Sequence, residues 1–219
     1  MQPRFSQRRN AGMTLFEVGM VIAVVMVLVV LLLPVLAKNR RKPSHVSCAN
    51  NVKQICLSYR VWAGDNGDKY PMGVSVTNGG SMEMAATGNV AQSYLVMSNE
   101  LSTPMILHCW EDKAHIQTRS FAGLASSNIS YFVGVDVTNE TTPQMILSGD
   151  GNFEIGGVPV KSGLLEFSTN APIAWTATRH ANFGNIGLVD GSVEQVTSSR
   201  LRQWLLPQTG FATNRLAIP

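Results

Sequence analysis

One apolar run near the N-terminus constrains this chain more than any other feature. Residues 18–37 are almost all Val, Leu, Ile or Met. As a helix, a run of about 20 residues spans roughly 30 Å, which is the hydrocarbon thickness of a bilayer. Three arginines precede the run, and no acidic residue occurs among the first sixteen. The sequence therefore predicts one apolar anchor helix, followed by a domain of about 180 residues that can bury a core of its own.

Glu17 is the one charge in this apolar segment, and it stands at the edge. At the centre of a membrane helix an acidic residue costs about 2.5–3.5 kcal/mol, and it costs less near an end. One explanation is a capping box, because Thr14 and Glu17 have the required spacing. The other is that Glu17 meets the amine that a cut after Gly12 would create. A cap alone explains neither Gly12 nor the basic leader, so we favour the second.

Together these residues resemble the N-terminus of a type IV prepilin or a type II secretion pseudopilin. The shared features are an arginine-rich leader, Gly12 before Met13, Glu17 as the fifth residue after the cut, and a long apolar run interrupted by Pro34. In that family a prepilin peptidase cuts after the glycine, the new terminus is N-methylated, and the acidic residue docks the subunit into a helical filament. The resemblance implies these roles for Gly12, Met13 and Glu17.

The resemblance also implies partners and a location. The expected partners are the prepilin peptidase, other pilin-like subunits, an inner-membrane assembly platform and membrane lipid. The expected location is the bacterial inner membrane, crossed once, with the head outside the cytoplasm. Charge does not settle the orientation, because basic residues flank the run on both sides. A rival reading is an ordinary signal peptide cleaved after Ala37, since Val35-Leu36-Ala37 has suitable small-residue spacing.

A second helix is predicted after the anchor. Apolar residues recur at intervals of three and four over residues 46–62, which indicates a helix packed on a core, and Gly64 with the polar turn behind it ends the pattern. With the anchor this predicts one long helix, its first half transmembrane, bent near Pro34 and Pro43. The expected divisions are a leader at 1–12, an anchor with a basic flank at 13–42, the second helical half and its stop at 43–69, and a head at 70–219.

Two sequence blocks narrow the resemblance. Cys48 opens a C-x-N-N-x-K-Q-I block, and nine residues separate His180 from Asp190-Gly191. Both blocks are similar to those of a bacterial prepilin-like subgroup that has a closing H-x9-D-G motif. The resemblance implies an α+β pilin-like fold, in which a long bent helix packs on a mostly antiparallel sheet.

The sequence pattern of the head is typical of a β-rich domain with short strands. A short helix is predicted within Val90–Leu101, and a last one near Trp204, stopped by Pro207. Asp190-Gly191 predicts a type I′ hairpin. The strands predicted from short apolar runs are Met105–Cys109, Ile129–Val135, Gln144–Leu147, Ile173–Thr178, Asn185–Val189 and Ser192–Val196.

The three cysteines carry no recognisable site pattern. Cys48 and Cys56 would lie about 12 Å apart on one helix, beyond disulfide reach. Cys109 could pair with one of them in an oxidising compartment, although buried apolar cysteines are the favoured interpretation. No CxxC and no metal-spaced Cys/His set is visible.

Other candidate chemistry in the sequence is sparse. His180 and Asp190 could form a pair that orients a base, but a loop histidine and a turn aspartate are favoured. Asp65, Asp68 and Asp150 stand in oxygen-rich turns that calcium could use, but none has EF-hand spacing, and turn chemistry explains them without a cofactor.

The leading functional hypothesis is a structural one rather than an enzymatic one. It is a pilin-like subunit, cut by a peptidase and assembled into a type II secretion pseudopilus or a type IV pilus-like filament for protein secretion. The alternatives are a pilin-anchored binding module for polysaccharide or a secreted substrate, and an anchored hydrolase. No nucleic-acid surface is expected. The 17 Lys and Arg residues exceed the 14 Asp and Glu residues only by the three leader arginines, and four more basic residues cluster directly after the anchor.

Overall fold

The computed structural model describes residues 15–38, 43–210 and 212–219. The chain divides into two compact units, Met1–Pro43 and Ser44–Pro219. In the first unit, helix α1 spans Leu15–Lys38, runs through Pro34 without a break and carries Glu17 in its first turn. A search of the described residues found no helix that is both long enough and apolar enough to cross a membrane.

Helix α2, Pro43–Asp65, supplies one side of the head. Pro43 is its first residue, a position where the missing proline N–H would have had no partner in the helix. The predicted apolar stripe is confirmed, because Val52, Ile55 and Tyr59 are fully buried. The predicted continuity between the two helices falls on residues 39–42, which lie outside the described part.

Short helices connect α2 to the sheet. The helix predicted within Val90–Leu101 is two helices, α4 and α5. The strand predicted at Met105–Cys109 is wrong, because a 3₁₀ helix occupies this place. Pro104 starts that helix, and the Thr103 hydroxyl accepts a hydrogen bond from the Met105 N–H at 3.3 Å. The segments are α3 Met82–Ala86, α4 Val90–Leu95, α5 Ser98–Leu101, and 3₁₀ helices at Pro71–Gly73, Val76–Asn78, Pro104–Leu107 and Ser126–Asn128.

Two antiparallel sheets occur among the described residues of the head, which confirms the α+β class. Their strands are β1 Tyr131–Gly134, β2 Ile146–Asp150, β3 Phe153–Ile155, β4 Val158–Pro159, β5 Gly163–Ser168, β6 Ile173–Trp175, β7 Phe183–Leu188, β8 Val193–Thr197 and β9 Thr213–Ile218. The larger sheet has six of these strands in the order β5-β9-β1-β2-β7-β8, and the smaller has three in the order β4-β3-β6.

The C-terminal helix is longer than the sequence indicates. It consists of α6 Ser198–Arg200, a π-helical turn Leu201–Leu205 and α7 Leu206–Gln208, and so it continues one residue past the predicted stop at Pro207. Strand β9 then returns between β5 and β1.

Apolar side chains cover both faces of the larger sheet. Tyr131 and Val133 belong to a cluster with α2, whereas Phe132 belongs to a second cluster with the smaller sheet and the C-terminal helix. This alternation follows from the two-residue period of a strand. Because both faces are covered, all residues of β1 and β2 are buried.

Gly187 marks the point where α2 packs against β7. A Cβ at this position would overlap the Cys56 Sγ and lie 2.8 Å from the Val52 Cγ1. We expect Gly187→Ala to lower the free energy of unfolding by about 1–3 kcal/mol, because overpacking forces the helix away from the strand. Chemical denaturation of the purified chain measures this loss.

Gly64→Ala is the matched control for that variant. A Cβ there has no atom within 4 Å, and alanine favours a helix by about 0.5–1 kcal/mol over glycine. Equal stability of the two variants would contradict the close packing of α2 on β7.

Candidate functional site

The residues tied to the prepilin resemblance are described only in part. Glu17 lies in the first turn of α1 and is exposed. Gly12 and Met13 lie outside the described residues. Every α1 side chain from Leu15 to Leu31 is exposed as well.

The most unusual arrangement in the head is a buried cluster of two thiols and an imidazole. Cys48 comes from α2, Cys109 follows the 3₁₀ helix Pro104–Leu107, and His180 begins a tight left-handed turn before β7. Their ligand atoms all lie within 4.8 Å of one another, and the Cys109 Sγ is 3.3 Å from the His180 Nε2. None of the three residues is more than 1% exposed. The three cysteines are all free thiols.

Glu111 fixes the position of the His180 ring. Its Oε2 accepts a hydrogen bond from the His180 backbone N–H at 2.8 Å and lies 3.1 Å from the His180 Nδ1. The Glu111 carboxylate thus anchors the backbone of His180 and stands beside the Nδ1 of its ring.

The backbone around His180 is strained. His180, Ala181 and Asn182 have φ values of 49°, 50° and 69°. A left-handed conformation costs roughly 1–2 kcal/mol for a residue with a Cβ. Three consecutive residues of this kind persist only where the surroundings hold them, and such strain is concentrated at functional sites.

Asp150 is a fourth polar group at this cluster. It ends β2 and is fully buried. Its Oδ2 lies 3.6 Å from the His180 Nε2 and accepts hydrogen bonds from the Asn185 backbone N–H at 2.7 Å and Nδ2 at 2.8 Å. Its Oδ1 has no hydrogen-bond partner among the described residues.

The cluster changes the acidity of its members. The hydrogen bond from Cys109 is the main reason that the pKa of Cys48 falls to about 5. The same hydrogen bond is the main reason that the pKa of Cys109 rises. Burial by itself would lower the pKa of His180, but hydrogen bonds to Asp150 and Cys48 raise it to about 10. Without a bound cation, the cluster thus favours one thiolate beside one imidazolium.

A second buried network lies beside the first. The Arg179 Nη2 is 3.0 Å from the Asp112 Oδ2, which also accepts a hydrogen bond from the Ser130 Oγ at 2.7 Å. The Arg179 Nη1 donates to the Ser130 carbonyl at 2.9 Å. The His115 Nδ1 lies 2.7 Å from the same Asp112 oxygen. This network holds the segment that carries Cys109 and Glu111 against the residue that precedes His180.

The histidine and the aspartate of the H-x9-D-G motif lie in different places and make different contacts. Strand β7 separates His180 from Asp190, and its six residues span about 20 Å at about 3.3 Å each. The Asp190 Oδ1 accepts a hydrogen bond from the Ser192 N–H at 2.8 Å, and Gly191 has a φ of 82°. The two residues therefore do not form a catalytic pair.

The hairpin at Asp190-Gly191 is not type I′, as the sequence suggested. A type I′ turn requires positive φ at both central residues, and of this pair only Gly191 has it. The Gly191 N–H bonds the Leu188 carbonyl at 3.0 Å, so Gly191 follows a type I turn as a left-handed bulge residue.

Asn51 ties the first sequence block to the same region. Its Nδ2 donates to the His108 carbonyl and to the Tyr131 Oη, both at 3.3 Å. It therefore connects α2 to the residue before Cys109 and to the first strand of the sheet.

The calcium candidates are not brought together. Asp65 and Asp68 are exposed. Asp150 is buried at the end of strand β2, 3.6 Å from the His180 Nε2, not in an oxygen-rich turn. Calcium binds oxygen ligands, so the donor set around Asp150 suits a different cation.

The sequence analysis missed the metal-ligating potential of Cys48, Cys109 and His180. Cys48 and His180 stand inside the two sequence blocks on which the resemblance rests, and this placement was the signal that could have indicated a site. The third lies in a segment predicted as a strand. No spacing rule joins the three, because they come from separate segments that meet only in the folded head.

Comparison of the chain with protein-family models, with curated proteins and with solved structures found no match in any of the three. The functional argument therefore rests on the residues and contacts described above.

Proposed function

We propose that the chain is a pilin-like structural subunit that a prepilin peptidase processes and that then assembles into a secretion pseudopilus or a type IV pilus-like filament. The single observation that carries this proposal is α1. It is a helix of 24 residues with one acidic residue in its first turn. Its large apolar side chains from Leu15 to Leu31 are 43–92% exposed.

An apolar helix of this kind requires a partner. A contiguous exposed apolar surface of this extent marks a site that binds either another protein or a membrane. Lipid satisfies this surface before assembly, and the α1 helices of neighbouring subunits satisfy it afterwards. In the bundle Glu17 neutralises the amine of a neighbouring subunit's Met13. Because a buried charge without its partner is costly, the pair sets the axial register of the subunits.

The anchored-hydrolase alternative has less support. Cys109, His180 and Asp150 make a nucleophile–base–acid set in outline. However, none of the three is more than 1% exposed, so a substrate does not reach the thiol in this conformation. The burial favours a structural role for the set.

Glu17→Ala tests the proposal. We expect incorporation into sedimentable filaments to fall by more than about tenfold, because an amine left without its partner in an apolar bundle costs about 3–5 kcal/mol. Cleavage after Gly12 should remain. The measurement combines a filament-shearing assay in the native cells with mass spectrometry of the N-terminus.

Three variants make this result specific. Asp65→Ala removes an exposed acidic residue at the end of α2 and should leave incorporation unchanged. Glu17→Asp should restore part of it. Gly12→Val should block cleavage and provide the unprocessed reference. Unchanged incorporation of Glu17→Ala, or wild-type protein that begins at Met1 or Lys38 in cells, would remove the proposal.

A further inference from the structure

We infer that the head binds one structural zinc ion through the thiolates of Cys48 and Cys109 and the Nε2 of His180, with the carboxylate of Asp150 as the fourth donor. This inference does not depend on filament assembly, because every donor lies within the unit Ser44–Pro219.

Three of the four donors, the two sulfurs and the imidazole nitrogen, already converge. Zinc binds thiolate sulfur at about 2.3 Å and imidazole nitrogen at about 2.0–2.1 Å. In a tetrahedral site those bond lengths place donor atoms about 3.5–3.8 Å apart. The Cys109 Sγ and the His180 Nε2 are 3.3 Å apart, and both lie within 4.8 Å of the Cys48 Sγ. The Asp150 carboxylate, whose Oδ2 lies 3.6 Å from the His180 Nε2, must move toward the sulfurs to complete such a site.

The surrounding polar groups are of the kind that supports metal ligands. A ligating histidine donates its second ring N–H to a carboxylate or a carbonyl, which fixes the ring and raises its basicity. Here Glu111 lies 3.1 Å from the His180 Nδ1, on the side away from the thiols. Asn185 holds the Asp150 Oδ2 in the same manner.

The Asp150 Oδ1 is the observation that points to a ligand. It is fully buried and has no hydrogen-bond partner among the described residues. A buried carboxylate oxygen without a partner carries a substantial desolvation penalty. The Asp150 Oδ2 lies 3.6 Å from the Nε2 that faces the thiols. A cation held by the thiols and this nitrogen lies beside the Asp150 carboxylate and supplies a charge that balances it.

The donor chemistry identifies the ion. Two thiolates with an imidazole and one carboxylate suit zinc, whereas calcium and magnesium require oxygen donors. None of the four residues is more than 1% exposed. A site without a water-accessible position is structural rather than catalytic.

A disulfide between Cys48 and Cys109 is the competing use of the same thiols. It would use only the two sulfurs, and it would leave the Asp150 Oδ1 without a partner. It would also give no role to the strained turn that aims the His180 Nε2 at the sulfurs. The zinc site uses all four groups, and for this reason we favour it.

Cobalt substitution of the full-length chain tests the inference. The protein is purified in detergent with a reductant, stripped with a chelator and titrated with Co²⁺. We expect intense thiolate-to-cobalt charge-transfer bands that saturate at one ion per chain, and displacement of the cobalt by one equivalent of Zn²⁺. The wild-type spectrum decides the question without reference to how any variant folds.

Cysteine variants locate the site. Cys48→Ser and Cys109→Ser should lose the charge-transfer bands. Cys56→Ser is the matched control, because Cys56 is an equally buried thiol on the same helix but lies outside the cluster. It should bind one ion. Glu111→Gln should weaken zinc binding by about 10–100-fold, the usual effect of removing a carboxylate behind a ligating histidine.

A thiol count on protein isolated from cells without reductant completes the test. Three thiols after unfolding, together with one zinc per chain, support the site. A single reactive thiol would mean a disulfide that uses at least one of Cys48 and Cys109, and would overturn it. Three thiols without metal and without a cobalt spectrum would overturn it equally.

Discussion

Replacing Arg179 with methionine is expected to lower the free energy of unfolding by about 3–5 kcal/mol, because it leaves a buried carboxylate without its counter-charge. Arg179 lies 3.0 Å from Asp112, and the side chains are 7% and 2% exposed. Methionine keeps much of the volume but none of the hydrogen bonds. Urea denaturation of the purified chain, followed by tryptophan fluorescence, measures the loss.

Arg200→Met is the matched control, because it removes an arginine ion pair that is exposed rather than buried. Arg200 makes an ion pair with Glu194 at 2.7 Å, but its side chain is 50% exposed. Such surface pairs contribute about 0–1 kcal/mol. Equal losses in the two variants would show that the burial of the Arg179 pair has no energetic consequence. The double variant Arg179→Met with Asp112→Asn should lose less than Arg179→Met alone, since it removes the unpaired charge.

The pH dependence of the Arg179 effect follows from Asp112. Burial would raise the pKa of this carboxyl, but the hydrogen bond from His115 and the charge of Arg179 hold it well below its usual value. A carboxyl whose pKa is lower in the folded state adds stability above its unfolded pKa of about 3.9. That contribution disappears as the pH falls through the folded pKa. The difference between wild type and Arg179→Met should therefore shrink in acid.

The sequence predicts the elements whose pattern is local. The stripe on α2 follows a helical period, and short apolar runs correctly indicated strands at β1, β6, β7 and β8 and the beginning of β2. Strands β3, β4, β5 and β9 were missed. In β9, Asn214 and Arg215 interrupt the apolar pattern near the start of the strand, and asparagine is depleted in strands. Pairing with β5 on one side and β1 on the other outweighs that propensity.

The candidate site could not be predicted from local sequence patterns, because its residues lie far apart along the chain. Its ligands come from a helix, an irregular segment and a strained turn, and their spacing along the chain follows no rule. The H-x9-D-G motif illustrates the point. Its regular spacing reflects the length of β7 with a flanking turn at each end, not contact between its ends. His180 works with Cys48 and Cys109, whereas Asp190 works with Ser192 in the hairpin.

Removing zinc from the full-length chain is expected to destabilise the head by about 4 kcal/mol, compared with a sample that contains free zinc at about 1,000 times the Kd of the site. A ligand that binds only the folded state stabilises it by mass action, and the four donors meet only in the folded head. Thermal unfolding followed by tryptophan fluorescence, with zinc and then with chelator, measures the difference. Cys56→Ser should show the same drop in Tm, whereas Cys48→Ser should show none.

The pH profile separates zinc binding from a disulfide. Both thiols and the His180 Nε2 must be without protons to bind the metal, so zinc-dependent stability should fall as the solution is acidified. The stabilisation from a disulfide does not require those deprotonations, and a reductant would abolish it. A Tm that responds to reductant but not to chelator would therefore contradict the metal site. A Tm that falls on addition of a chelator and also falls in acid would support the metal site, in which one ion connects α2, the Cys109 segment, β2 and the His180 turn.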